Sequence, residues 1–124
     1  MPIKSYVLTL AFFLLGGTAL WNTPTRAADP EVELEVNRLL EKVAESGCDF
    51  ERNGSLHSST DAASHLALKY QRGERYVDTA EDFITMLATK SSWSGKPYWV
   101  ICAGERTPSD DWLQGLLAEV RAAR

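Results

Sequence analysis

His57, Asp61 and His65 stand at four-residue steps, a spacing that on a helix places side chains on one face, where a metal or an acid/base pair can be built. His57 falls ahead of the expected helix, and no third strong ligand stands near it. Neither metal nor catalytic use follows: His65 reads as packed at a helix boundary and His57 as exposed. Beyond the first 27 residues, serines occur at 46, 55, 58, 59, 64, 91, 92, 94 and 109, none of them in a nucleophile elbow or a penicillin-binding signature. Ser91 or Ser92 near Lys96 suggests a Ser-Lys dyad, but the register Ser-Ser-Trp-Ser-Gly-Lys-Pro does not match one. Ser-Gly-Lys-Pro also lacks the preceding glycine and following helix that cradle phosphate. No catalytic residue, metal ligand or cofactor site is assigned.

The segment 91–99 (SSWSGKPYW) is the least explained by folding alone. Trp93, Tyr98 and Trp99 bring large flat rings to a polar turn that also carries Ser94 and the cation Lys96, a combination suited to stacking on a sugar or peptide or to an interface hot spot. These five residues are the candidate binding set, although strand alternation turns Tyr98 inward.

The N-terminus frames the compartment. Lys4 is followed by an apolar run over residues 6–15, then Gly16, Gly17 and Pro24, the layout of a secretory signal. Thr25 and Ala27 suit the two specificity positions of signal peptidase, so residues 1–27 are expected to be removed by cleavage before Ala28. The apolar run is shorter than the ~20 residues that span a bilayer, so no stable membrane anchor is expected after cleavage. The remaining 97 residues hold 11 bases against 17 acids, a balance that argues against a nucleic-acid partner. The charge is uneven: residues 29–51 carry eight acids and two bases, and residues 52–108 carry six and seven. Cys48 and Cys102 are the only two cysteines, and an even count in an exported chain reads as a disulfide.

These residues need elements to position them. Asp29-Pro30 reads as an N-cap and first helical position, and Val32, Val36, Leu39, Leu40 and Val43 recur at helical spacing up to Gly47, predicting a helix over 30–46. Asn53-Gly54 suits a type I′ turn between strands at 48–52 and 55–57. Ser58 with Asp61 caps a second helix ending near Gly73, and Asp78 or Thr79 caps a third that runs to the 91–95 region. Residues 98–102 (YWVIC) are the most strand-like stretch in the chain. Thr107-Pro108-Ser109-Asp110 reads as the capping box of a closing helix that carries Trp112, Leu113, Leu116, Leu117 and Val120. The sum is one α+β domain over residues 28–124: about four helices packed on a three-stranded antiparallel sheet of order 2-1-3, with Cys48 and Cys102 at opposite ends of neighbouring strands.

Taken together, Ser46-Gly47-Cys48-x-Phe50-x-Arg52-Asn53-Gly54, then Ala62 or Ala63 with His65-Leu66 and Lys69-Tyr70, then Phe83-Ile84 ahead of Ser91-Ser92-x-Ser94-Gly95-Lys96-Pro97-Tyr98 and Trp112-Leu113, resemble the YfeK-like family of small exported proteins of Gram-negative bacteria. The resemblance covers nearly all of residues 28–124 and implies periplasmic or secreted localisation and a shared fold. It carries no activity, and it adds His65 and Lys69 as polar candidates without a role. The expectation is a non-catalytic binding protein, an inhibitor or envelope accessory factor, whose partner is an envelope protein or cell-wall component. The alternative is a small envelope hydrolase with His65 as base and a serine of 91–94 as nucleophile.

Overall fold

The structure is a computed structural model and describes residues 16–19, 21 and 29–124. Most of the expected leader, including its cleavage point, lies outside the described residues. Helix α1 spans Pro30–Glu45. It starts where predicted, with the Asp29 carboxylate accepting from the Glu31 N–H at 2.9 Å, and it stops where Gly47 takes a left-handed φ of +66°, which glycine adopts without steric cost. Strands β1 (Asp49–Arg52) and β2 (Ser55–His57) follow, joined through Asn53 (φ 50°) and Gly54 (φ 79°) in the left-handed pair that a type I′ hairpin needs. Helix α2 (Ser59–Gly73) is capped by Ser58 as read from sequence, and a short 3-10 turn (Glu74–Tyr76) leads to α3 (Ala80–Leu87). Of the two proposed caps, Thr79 serves, in a reciprocal box with Asp82.

Three expectations need correction. The third helix does not reach residues 91–95; it ends at Leu87. Residues 89–98 instead fold back on themselves, with Lys90 bridged to Pro97 and the Tyr98 N–H donating to the Thr89 carbonyl at 2.9 Å. The sheet has four strands, not three: after β3 (Trp99–Cys102) the chain turns into β4 (Glu105–Pro108), and the order is β2-β1-β3-β4. The extra hairpin turns on Ala103 (φ 50°) and Gly104 (φ 80°), and an alanine in that place gives no turn signal. Finally, Thr107 does not cap the closing helix. It pairs with Val100 in β4, and α4 (Ser109–Ala122) begins after Pro108, which makes no side-chain cap. Pro108 is tolerated there because β4 is an edge strand.

All strand pairs are antiparallel, with Phe50 opposite both His57 and Val100. The predicted adjacency of strands two, one and three therefore holds within the larger sheet. A disulfide joins Cys48 to Cys102 across β1 and β3, with Cα atoms 4.7 Å apart. The helices cover one sheet face, α2 against β1 and α4 against β3 and β4, while α1 and α3 pack on those two helices. Phe50, Val100, Leu39, Phe83, Ile84, Leu113 and Leu117 fill the space between. Edge-to-face ring pairs link Phe50 with Trp112 and Tyr70 with Phe83. Among the described residues, the opposite sheet face has no helix over it, and it carries Leu56, Glu51, Trp99 and Arg106.

Candidate functional site

A groove of about 1060 Å³, open mouth included, lies between α2, the β1–β2 turn and the 89–98 loop. Helical spacing builds one wall: His65, Lys69 and Arg72 are four and three residues apart on α2 and line the same side. Arg52 enters from the sheet, since it alternates with Phe50 on the covered face and lies at the end of β1, where the helix cover gives out. Tyr98 is buried at the floor, and Trp93 stands at the rim.

The floor is a hydrogen-bonded chain. The Lys69 ammonium donates to the Lys90 carbonyl at 3.0 Å and to the Tyr98 hydroxyl oxygen at 3.2 Å, lying 5.0 Å from the Tyr98 ring centroid. His65 Nε2 is 3.2 Å from the same hydroxyl. Lysine only donates, so the Tyr98 oxygen accepts from it, and we assign the hydroxyl proton to Nε2, leaving the imidazole proton on Nδ1. This requires a neutral imidazole. Burial, followed by the positive charges of Arg52, Lys69, His57 and Arg72, pushes the His65 pKa down to about 4. Burial also lowers the Lys69 pKa, with Arg52 adding to the effect, and it raises that of Tyr98.

The 91–99 segment is divided by the fold. Ser91 is buried, and its Oγ accepts from the Trp93 and Ser94 N–H groups and from Asn53 Nδ2. Its own N–H donates to the Lys96 carbonyl at 2.9 Å. The Ser94 hydroxyl donates to Asn53 Oδ1. These bonds hold the loop tip against the β1–β2 turn, and none of them uses the Trp93 ring, which is 92% exposed. Trp93 and Tyr98 share the groove, and Lys96 is solvent-exposed beside it. Trp99 points the other way, half-buried on the open sheet face with the Arg106 guanidinium 3.7 Å from its ring centroid, while Arg106 is also paired with Glu51. The structure thus brings Trp93, Tyr98, His65 and Lys69 together and separates Trp99 from them. His57, Asp61 and His65 do not converge as a cluster: His57 is in β2, and Asp61 is exposed in the first turn of α2. Among the described residues, no group of three His, Cys, Asp or Glu side chains is placed to hold a metal ion.

Arg52, present in the quoted motif series without a site role, and Arg72, outside it, are groove residues that were not among the candidates. The available signal was the i, i+4, i+7 run of His65, Lys69 and Arg72, all basic side chains on one helix face.

The model of the family of unknown function DUF5329 matches residues 30–121, and the chain is a member of that family. Within the YfeK-like group, the chain is 42% identical over 67 residues to the uncharacterized protein YfeK of Salmonella typhimurium strain LT2, an alignment covering 53% of this chain and 56% of the relative. The chain thus spans a little over half the length of that relative. No solved structure matches.

Proposed function

We propose that this is an exported, non-catalytic binding protein that engages an envelope protein or a cell-wall component through Trp93 and the groove behind it. The observation that carries the reading is the Trp93 ring, 92% exposed on a loop fixed by other groups. A rigid aromatic needs little ordering when it meets a partner, which is why tryptophan dominates binding hot spots. Export is supported by the leader-like start of the chain and by the disulfide, a bond that persists in oxidising compartments.

The hydrolase reading gains no support from the geometry. The Ser91 hydroxyl is spent on its own turn, Ser94 is bonded to Asn53, and His65 Nε2 faces Tyr98. Among the described residues, no serine hydroxyl is hydrogen-bonded to His65.

The test is Trp93→Ala. Its melting temperature should stay close to that of the parent, while partners cross-linked to the tagged parent in the cell envelope and identified by mass spectrometry should be lost. A fall in stability of about 3–5 kcal/mol, the cost of deleting a core tryptophan, would remove this loop as the site.

A further inference from the structure

Resting on the reading of the groove as the binding surface, we propose that its ligand carries an acidic group, a carboxylate or a phosphate, seated among Arg52, Lys69 and Arg72 beside the Trp93 ring. The chain is acidic, with a formal net charge of -4, yet among the described residues no Asp or Glu lines the groove. The neighbouring hollow towards β1 and β2 touches Glu51, but Arg106 holds that carboxylate.

Three arginines elsewhere are partnered: Arg106 holds Glu51, Arg121 holds Glu35 and Glu81, and Arg124 holds Glu31 and Glu35; Arg75 lies against the Tyr76 ring, and neither it nor Arg38 lines the groove. Among the described residues, Arg52 and Arg72 hold no carboxylate and make no side-chain hydrogen bond. Two unpaired guanidiniums therefore face the same groove as a half-buried ammonium and a histidine. Like charges gathered without a counter-charge repel, and that repulsion is released when an anion enters. The shifts at Lys69 and His65, both lowered in part by Arg52, register this positive field. Guanidinium planes pair bidentately with carboxylate and phosphate oxygens. Lys69 uses two of its three protons on Lys90 and Tyr98, which leaves one for the ligand. Trp93 at the rim offers a flat face to a ring attached to the acidic group.

The experiment titrates the full chain with glucuronate, glucose 6-phosphate, inorganic phosphate and neutral glucose, following the His65 ring and Trp93 indole signals by NMR. Glucuronate or glucose 6-phosphate should shift both signals and raise the His65 titration midpoint, since an anion beside the imidazole favours its charged form. Glucose should do neither. Which acidic sugar binds more tightly separates carboxylate from phosphate, and inorganic phosphate shows how much the ring adds. The double variant Arg52→Gln, Arg72→Gln should keep its melting temperature and lose about tenfold or more in affinity, a change of roughly 1.4 kcal/mol.

Glucose binding as well as the acids, or an undiminished affinity in the double variant, would overturn the proposal. If no acidic probe binds but Trp93→Ala still loses its envelope partner, the anion site falls and the binding reading stands. If the acids bind while Trp93→Ala keeps its partner, the anion site stands and the role of the tryptophan falls.

Discussion

Lys69, Tyr98 and His65 share one hydroxyl at the groove floor, so the protonation of the imidazole is tied to the stability of the fold. The ordinary His65 pKa of 6.5 is lowered to about 4 in the folded chain. Between these values the unfolded chain takes up a proton that the folded chain refuses, so stability falls as pH drops from 6.5 towards 4. Urea unfolding of the parent and of His65→Asn across that range should show the parent losing more stability than the variant. Parallel curves would show that the histidine is solvated and uncoupled. Tyr98→Phe removes the shared hydroxyl and leaves two polar neighbours short of a partner, which should cost about 1–2 kcal/mol and change the titration of His65. A reader of the sequence could place Tyr98 inward by alternation. That its hydroxyl meets two side chains 29 and 33 residues away depends on how α2 lies across the sheet.

Two hairpin turns with the same backbone hand differ in the residues that form them. Asn53-Gly54 announces itself, because asparagine and glycine both accept positive φ. Ala103-Gly104 takes the same conformation with φ values of 50° and 80°, and the alanine bears a cost that L-residues with a Cβ meet in the left-handed region. Ala103→Asn should therefore stabilise the β3–β4 hairpin by about 0.5–1 kcal/mol, a rise in melting temperature of a few degrees for a domain of this size. An unchanged or lower midpoint would show that the turn bears no such strain. The disulfide ties the two central strands, from Cys48 just ahead of β1 to Cys102 at the end of β3, and closes a loop with a sequence separation of 54. Cys102→Ser should cost about 2–5 kcal/mol, most of it through the freer unfolded chain. Thiol labelling of the denatured, unreduced parent should find no free cysteine.

Across the whole molecule, the helices are held by ion pairs as well as by the apolar core, and Arg121 joins three of the helices. Arg121 of α4 donates to the Glu35 carboxylate of α1 at 2.8 Å and also grips Glu81 of α3. Glu35 is buried, and Arg124 reaches it as well. The hydrogen bond from Arg121 holds the Glu35 carboxyl below its ordinary range, against the opposing effect of burial. A depressed carboxyl adds stability above its unfolded pKa and withdraws it as pH falls through the folded one, so acid unfolding should begin below the ordinary value of 4.5. Arg121→Ala strands a buried carboxylate with only Arg124 beside it and should cost about 3 kcal/mol. Glu35→Leu with Arg121→Leu should recover much of that loss, because replacing a buried pair by apolar side chains is close to neutral. A double variant as unstable as the single one would show that packing around the pair, rather than the stranded charge, sets the cost. At this same scale, mass spectrometry of the protein recovered from the periplasm should find an N-terminus at or near Ala28. Full-length chain in washed membranes would count against export.

What the amino-acid order determined by itself was local. Caps at Asp29 and Ser58, the Asn53-Gly54 turn, the apolar stripes of the helices and the pairing of the two cysteines all follow from steric preference, side-chain periodicity or simple counting, and each holds in the folded chain. The β3–β4 hairpin was hidden because its turn and its strand, Glu105–Pro108, are written in residues that favour neither. Pairing to β3 through the backbone makes it a strand, whatever its side chains prefer. The groove belongs largely to the tertiary structure. Lys69 and Arg72 share a face of α2, but Arg52 comes from β1, and the 89–98 loop stands over them only because α3 stops early and the loop is tied to Asn53. Long-range contacts of this kind have no signature in spacing, since what brings the cations together is burial of the opposite faces of their own elements.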